Sequence, residues 1–181
     1  MRITGGQLRG RSIKCPDGVI RPAMDRMRES LFAILGELEG KSFLDLFSGS
    51  GTVAIEAVSR GASHVELVEK DKIKVGTVLS NVALTEKEMG RKIHCHFMAV
   101  ELFLKRCKNK YDIIFLDPPF PYRYHQSLIE MVSKGELLTP GGVALIHRPK
   151  EKEMPDSVLQ LKLGDRREYG RSIVDFYVNN S

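Results

Sequence analysis

From residue 41 to residue 147, short apolar runs alternate with longer stretches in which apolar residues recur at helical spacing. The short runs predict five strands and the longer stretches predict four helices. The strands are expected at residues 42–47, 64–68, 92–97, 111–116 and 142–147, and the helices at residues 52–60, 71–84, 100–107 and 124–132. Strands that alternate with helices in this way form a parallel sheet with helices on both faces. The sequence therefore predicts an α/β fold.

Both ends of the chain depart from this alternation. Residues 157–163 and 172–178 are two alternating runs without a helix between them, which predicts an antiparallel hairpin at the edge of a mostly parallel, seven-stranded sheet. Residues 1–23 predict a small hairpin that turns at residues 5–6 or 9–10. An amphipathic helix capped by Asp25 is predicted to follow, between Asp25 and Leu38. We expect residues 1–40 to form an N-terminal basic arm, hairpin and helix, and residues 41–181 to form the main domain.

The positive charge of the chain is concentrated near its N-terminus. The 181 residues carry a formal net charge of +5, with 28 basic and 23 acidic side chains. Residues 1–28 contain seven of the basic side chains and only two of the acidic ones, so the rest of the chain is neutral. Six of these seven are arginines, which suit phosphate recognition. We expect the phosphates of a polyanion such as RNA to be contacted by Arg9, Arg11, Arg21, Arg26 and Arg28, although Arg21 and Arg28 could instead serve a cofactor carboxylate. A solvated basic tail is the alternative interpretation of the same charge.

Composition excludes several classes of protein. With 42% apolar and 28% charged residues, the chain is neither disordered nor fibrous. Its apolar runs are far shorter than the roughly 18 residues that cross a membrane, and its first residues lack the apolar stretch of a secretory signal. The three cysteines form no recognisable pairing pattern. These features predict a cytoplasmic protein without membrane association.

The first predicted strand is followed by a glycine-containing loop and then immediately by a helix. The loop reads Asp45-Leu46-Phe47-Ser48-Gly49-Ser50-Gly51. Its glycines allow a ligand to approach the backbone, and free N–H groups at the start of the helix face that ligand. Glu69 ends the second predicted strand, where a carboxylate can accept hydrogen bonds from ribose hydroxyls. The pattern predicts a nucleotide-like cofactor.

The fourth predicted strand ends in Asp117-Pro118-Pro119-Phe120, and this tetrad is more specific than the glycine loop. Two prolines stop the strand and give a stiff turn at the sheet edge where ligands bind. The Asp117 carboxylate and the Pro118 carbonyl are then two fixed acceptors for the two N–H bonds of a nucleobase amine. Phe120 could stack on the base. The tetrad predicts catalysis at an exocyclic amine.

Two N-terminal motifs and this tetrad together resemble the RsmD-type small-subunit ribosomal RNA guanine-N2 methyltransferases. The N-terminal motifs are Arg2-Ile3-x-Gly5-Gly6-x-x-Arg9-Gly10-Arg11 and Arg21-Pro22-x-x-Asp25-Arg26-x-Arg28-Glu29-Ser30-Leu31-Phe32. The similarity covers essentially the whole chain. It implies a class I S-adenosylmethionine-dependent methyltransferase fold, which is Rossmann-like, and a monomer that acts on 16S rRNA or a small-subunit assembly particle. The implied target is the N2 amine of guanine 966.

By this resemblance, S-adenosylmethionine contacts residues of the glycine loop, of the second strand and of the turn before the fourth helix. These residues are Asp45, Ser48, Gly49, Ser50, Gly51, Glu69, Met98 and Ala99. The chain departs from the family pattern at three places. Met98-Ala99 replaces an Asp-Ala pair whose Asp contacts the adenine amine, Arg171-Ser172 replaces Asp-Thr, and Ala23-Met24 replaces Thr-Thr.

Three other functions would each use part of the sequence. An adenine-N6 methyltransferase would use the same tetrad on a different amine, but 181 residues leave no room for an additional target-recognition domain. A nicotinamide-dependent oxidoreductase would use the glycine loop and leave the tetrad without a task, whereas a noncatalytic RNA-binding module would need only the arm. No metal site is expected at His94-Cys95-His96, because neighbouring residues of a strand point to opposite faces.

Overall fold

Eight strands form one mixed sheet in the computed structural model, which describes residues 1–15 and 22–181. The strands are β1 (Ser42–Leu46), β2 (His64–Val68), β3 (Ile93–His96), β4 (Tyr111–Leu116), β5 (Leu138–Pro149), β6 (Ser157–Val158), β7 (Leu161–Tyr169) and β8 (Ser172–Asn179). The helices are α1 (Pro22–Leu35), α2 (Thr52–Ser59), α3 (Val75–Met89), α4 (Val100–Arg106) and α5 (His125–Lys134). No helix within these residues is both long and apolar enough to cross a membrane.

The strand order is β3-β2-β1-β4-β5-β8-β7-β6. The first five strands are parallel to one another, and β8 pairs antiparallel with β5 and β7. The predicted α/β class, the parallel strands and the C-terminal antiparallel hairpin are therefore confirmed. The hairpin reaches the sheet through its second strand, and the two-residue strand β6 extends the edge to an eighth strand. β1 and β4 are parallel neighbours near the centre of the sheet, so the loops after both strands meet at one edge.

Apolar side chains cover both faces of the sheet. One core cluster joins the face under α1 and α2 to the N-terminal residues Ile3, Leu8 and Ile13. The other lies under α4 and α5 and includes the fully buried Tyr111 and Tyr177. The N-terminal segment forms the predicted small hairpin, with an antiparallel bridge between Arg2 and Ser12. Its apolar residues belong to the same core as the sheet.

Helix boundaries differ from the predictions where local turns intervene. Helix α1 begins at Pro22, three residues before the predicted cap, because proline is well suited to a first helical position. The predicted N-cap role of Asp25 is therefore wrong, since this residue lies in the first turn. Helix α1 ends at Leu35 because Gly36 adopts a φ of 72°. Helix α3 begins at Val75 because the Asp71 side chain accepts the Ile73 N–H at 3.0 Å and forms a turn.

Candidate active site

A cavity of about 580 Å³ opens at the carboxyl edge of the central strands. It joins the glycine loop, the residues after β2 and the loop after β4 in one space. Its lining includes nine residues of these loops: Ser48, Gly49, Ser50, Glu69, Asp117, Pro118, Pro119, Phe120 and Tyr122. Helix α1 closes the cavity on one side with Met24, Met27, Arg28 and Leu31. The topology thus brings the predicted cofactor loop and the predicted catalytic tetrad together.

The glycine loop is held in shape by Glu69. This carboxylate accepts the N–H of Gly49 at 2.8 Å through Oε1 and the N–H of Asp71 at 2.9 Å through Oε2. Gly49 has a φ of 61°, and a Cβ atom there would meet nothing within 4 Å, so the backbone is open to the cavity. Gly51 has a φ of 84° and caps α2. Each Glu69 oxygen keeps further acceptor capacity for a ligand.

Asp45 supports the loop from behind, and its side chain does not line the cavity. It is buried, and its Oδ2 accepts the N–H of Ala54 at 3.0 Å, which anchors the first turn of α2. Burial raises the pKa of Asp45 well above its usual value, and the charges of Asp117 and Glu69 raise it further. Oδ1 of Asp45 and the hydroxyl of Ser48 are buried without a partner in the described part of the chain. Three carboxyl groups therefore surround the loop.

The tetrad after β4 is a stiff turn whose four residues line the cavity. The Asp117 N–H donates to the Leu46 carbonyl at 3.3 Å, and the Tyr122 N–H donates to the Pro119 carbonyl at 2.9 Å. Across residues 1–15 and 22–181, no donor reaches the Pro118 carbonyl. Phe120 lines the cavity and is 58% exposed. The turn therefore brings the Asp117 carboxylate and the Phe120 ring to the wall of the cavity.

Tyr122 fastens this turn to its surroundings. Its hydroxyl donates to Glu101 Oε1 at 2.7 Å, and its ring packs edge-on against Phe47, with 5.5 Å between ring centroids. Burial, together with the hydrogen bond to Glu101, raises the pKa of Tyr122. The sequence reading did not identify this residue or Glu101. Both lie in the lining of the cavity.

His147 is the main site residue that the sequence reading missed. Its Nδ1 donates to Asp117 Oδ1 at 2.8 Å, and its ring is buried. The available signal was positional, because His147 ends the predicted strand that lies next to the strand ending at Asp117. His125, at the start of α5, is also buried, and burial lowers its pKa to about 4.

Four of the predicted cofactor residues lie outside the cavity lining. They are Asp45, Gly51, Met98 and Ala99, and the lining beside the last two is formed by Val100 and Glu101. Met98 packs against the core cluster under α4. Ala99 is the N-cap residue of α4. A direct role for Met98 and Ala99 in binding adenine stays a prediction.

The predicted RNA-binding arginines occupy different environments. Arg9, Arg11 and Arg26 are exposed, and Arg11 forms an ion pair with Glu88 at 2.8 Å. Arg28 is only 3% exposed and its guanidinium is bound to Glu56, so its side chain is not displayed on the outer surface where a phosphate could reach it. Arg21 lies outside the described residues.

The N-terminal hairpin runs from the cavity, which Met1 and Cys15 line, to a turn that lies away from the tetrad. The Leu8 N–H donates to the Ser59 hydroxyl at 2.9 Å, at the C-terminal end of α2. Because α2 runs from the glycine loop away from the carboxyl edge for eight residues, this end lies about 12 Å from the loop. RNA that contacts Arg9 would have to extend along the side of the protein.

The histidines of β3 are engaged by neighbouring side chains. His96 Nε2 lies 3.0 Å from Glu66 Oε1, and the ring of His94 packs 5.2 Å from that of His64. No group of three or more potential metal ligands occurs within residues 1–15 and 22–181.

The chain is similar to several known proteins. Residues 1–178 match the family model described as conserved hypothetical protein 95. YlbH of Bacillus subtilis is 32% identical over 98% of both chains. The ribosomal RNA small subunit methyltransferase D of Escherichia coli is 31% identical over 86% of this chain and 78% of its own. The structure of SMU.776, complexed with SAH, covers 90% of this chain and 51% of that one with a TM-score of 0.69; at 20% identity, it shows the shared fold.

Proposed function

The chain belongs to the family described as conserved hypothetical protein 95, and on that premise we propose that it is an S-adenosylmethionine-dependent ribosomal RNA methyltransferase. We propose further that it methylates the exocyclic N2 of a guanine in 16S rRNA, at position 966, and works as a monomer on the RNA or on a small-subunit assembly particle. The observation that carries the proposal is the single cavity shared by the glycine loop and the tetrad.

The cavity walls suit the cofactor. Gly49 leaves the backbone open, Glu69 offers acceptor capacity to ribose hydroxyls, and Val100 supplies an apolar surface. When bound, S-adenosylmethionine supplies a methyl group attached to a positively charged sulfur. The E. coli relative, a named ribosomal RNA methyltransferase, and the SAH-bound neighbour with the same fold support this choice.

The residues of the tetrad act on the target amine. A guanine amine is a poor nucleophile because its lone pair is delocalised into the ring. Asp117 and the Pro118 carbonyl accept its two N–H bonds, which favours a pyramidal and more nucleophilic nitrogen. The nitrogen becomes positively charged as it reacts, and the Asp117 carboxylate stabilises that charge. The extra proton leaves after methylation, so no strong base is required.

The target base must leave its stack to reach the tetrad. Extrusion of a base costs a few kcal/mol, and stacking on Phe120 returns about 1 to 3 kcal/mol. Pro119 restricts the backbone beside that ring, so little entropy is lost when the base binds. Contacts between the arm and RNA phosphates would help to offset the remainder.

Methyl transfer to extracted ribosomal RNA, followed by mapping of the modified base, tests the proposed function. We expect radiolabelled methyl groups on small-subunit RNA, at a single N2-methylguanine. A modified adenine N6 would favour the alternative enzyme class instead. Binding of a nicotinamide dinucleotide in place of S-adenosylmethionine, or RNA binding without any methyl transfer, would overturn the proposal.

Replacement of Glu69 should weaken cofactor binding. Glu69→Ala removes the charged acceptor for the ribose hydroxyls and also releases the N–H groups of Gly49 and Asp71. Charge-assisted hydrogen bonds contribute about 1.5 to 3 kcal/mol, so the Kd for S-adenosylhomocysteine should rise roughly 10- to 150-fold in calorimetric titrations. Lys72→Ala, an exposed change in the same segment, is the control. An affinity equal to that of the control would remove Glu69 from the site.

Replacement of Arg9 and Arg11 should reduce the salt dependence of RNA binding. Both side chains are exposed, and the pairing of Arg11 with Glu88 is a weak surface interaction. Each lost phosphate contact should lower the slope of log K against log salt by about 0.7 to 0.9. Affinity for S-adenosylhomocysteine should not change. A slope equal to that of the wild type would identify the arm as a solvated basic segment. The Arg26→Ala variant would then test whether the exposed arginine of α1 contacts RNA.

A further inference from the structure

His147 is placed beside Asp117 by the register of the two parallel strands. In that register Phe115 pairs with Leu145 and Leu116 pairs with Ile146, so the next residues, Asp117 and His147, emerge together at the carboxyl edge. The His147 side chain is 7% exposed, the Asp117 side chain is 27% exposed, and 2.8 Å separates Nδ1 from Oδ1. A carboxylate can only accept, so the ring carries its hydrogen on Nδ1.

The contact leaves the two oxygens of Asp117 in different situations. Oδ1 is occupied by the imidazole, whereas Oδ2 accepts no hydrogen bond from the described residues. The imidazole cannot easily move away, because β8 pairs with β5 on the other side and sets Val174 opposite His147. The second ring nitrogen, Nε2, is buried and has no partner within residues 1–15 and 22–181. Nδ1 is therefore the nitrogen through which the ring acts on the site.

Asp117 is also coupled to the residues behind the glycine loop, because its charge raises the pKa of the buried Asp45. The hydrogen bond from His147 to Oδ1 restricts rotation of the Asp117 carboxylate.

We propose that His147 is a positioning residue that holds Oδ1 of Asp117 and thereby directs Oδ2 at the target amine. This inference rests on the proposed function. The inferred role of His147 is to orient the Asp117 carboxylate. His147 itself is not proposed to contact the reacting atoms. A misplacement of about 1 Å in a reacting geometry can reduce a rate by about 100-fold. Loss of the donor should therefore affect the chemical step more than binding.

Two substitutions at the same position separate donation from packing. Asparagine places an amide nitrogen close to the position of Nδ1, so His147→Asn keeps a donor for Asp117. Leucine fills similar space without a donor. In single-turnover methyl transfer, we expect His147→Leu to be about 10- to 100-fold slower than wild type, and His147→Asn to recover most of that loss. Affinities for S-adenosylhomocysteine and RNA should stay within about twofold, and thermal unfolding of each variant without ligand checks that it is folded.

A double-mutant cycle tests whether His147 acts through Asp117. In the Asp117→Ala background, the change of His147 to leucine should slow transfer no further. Equal rates for the asparagine and leucine variants, or a full additional loss in the double variant, would overturn the inference.

A spectroscopic measurement does not depend on activity. In protein labelled with nitrogen-15 at histidine, we expect His147 to carry its hydrogen on Nδ1, and its ring shifts should change in Asp117→Ala. If the wild type transfers no methyl group to any RNA, the proposed function fails, and these shifts still decide whether His147 holds Asp117. Shifts that are identical in the two proteins would overturn the inference.

Discussion

Asp117→Ala should lose about 10²- to 10³-fold in single-turnover methyl transfer while it binds the cofactor normally. Asp117 lines the cavity, and its Oδ1 accepts a hydrogen bond from His147. Its negative charge is most useful in the transition state, when positive charge appears on the attacked nitrogen. The cofactor is expected to contact the opposite wall, around Gly49 and Glu69. The measurements are the single-turnover rate with ribosomal RNA and a calorimetric titration with S-adenosylhomocysteine.

Asp117→Asn distinguishes charge from hydrogen bonding. This variant keeps an acceptor oxygen and removes the charge, so its rate should lie between those of wild type and Asp117→Ala. Asp156→Ala is the control for a general change in charge. Asp156 is a largely exposed carboxylate just before β6, at the edge of the sheet away from β4. A rate for Asp117→Ala within a few-fold of this control would remove Asp117 from the chemistry.

Glu56→Gln should destabilise the protein by about 3 kcal/mol or more, the second large effect that the structure predicts. Glu56 is fully buried and joins three segments of the chain. It accepts the N–H groups of Thr4 and Gly5, both at 2.9 Å, and pairs with Nε of Arg28 at 3.0 Å and of Arg60 at 2.8 Å. Glutamine would leave the buried Arg28 without its main carboxylate partner. For a protein of this size, the Tm should fall by roughly 6 to 12 °C.

The effect of Glu56 should depend on pH in a defined direction. Burial alone would raise the pKa of Glu56, but hydrogen bonds from Thr4, Arg60 and Arg28 outweigh it and lower the pKa from the usual 4.5. A lowered pKa contributes stability above the unfolded value, and that stability is lost as the pH falls through the folded value. The difference in Tm between wild type and Glu56→Gln should therefore be largest near neutral pH and shrink below about pH 4.

Glu88→Ala is the matched control for Glu56. Glu88 also pairs with an arginine of the N-terminal segment, but its side chain is 35% exposed. An exposed pair contributes about 1 kcal/mol or less, so this variant should unfold close to the wild-type temperature at every pH. Similar Tm values for the Glu56 and Glu88 variants would show that the buried network does not hold the arm and α1 in place.

Local patterns predicted most of the architecture. The parallel strands were found because alternating elements have distinct periodicities, and β4 at Tyr111–Leu116 matches its predicted range. The glycine loop and the tetrad were likewise recognisable because turn residues act locally. Errors occurred at element ends, where side-chain turns and glycines decide the boundary, as at Asp71 and Gly36.

Pairing between distant segments could not be read from those patterns. No local pattern marks Glu56 on α2, and only the fold brings it within hydrogen-bonding distance of Thr4 and Arg28. The same folding buries Arg28 at the edge of the cavity, whereas the charge distribution alone left it between RNA and a cofactor carboxylate.

The sequence by itself determined the α/β class, the glycine loop and the Asp117 tetrad, because each of these depends on neighbouring residues. The tertiary structure alone decided that His147 holds Asp117 and that Glu56 holds the N-terminal arm. Contacts of this kind depend on strand register and on the packing of helices against the sheet. These in turn result from the burial of the whole core, which no short segment encodes.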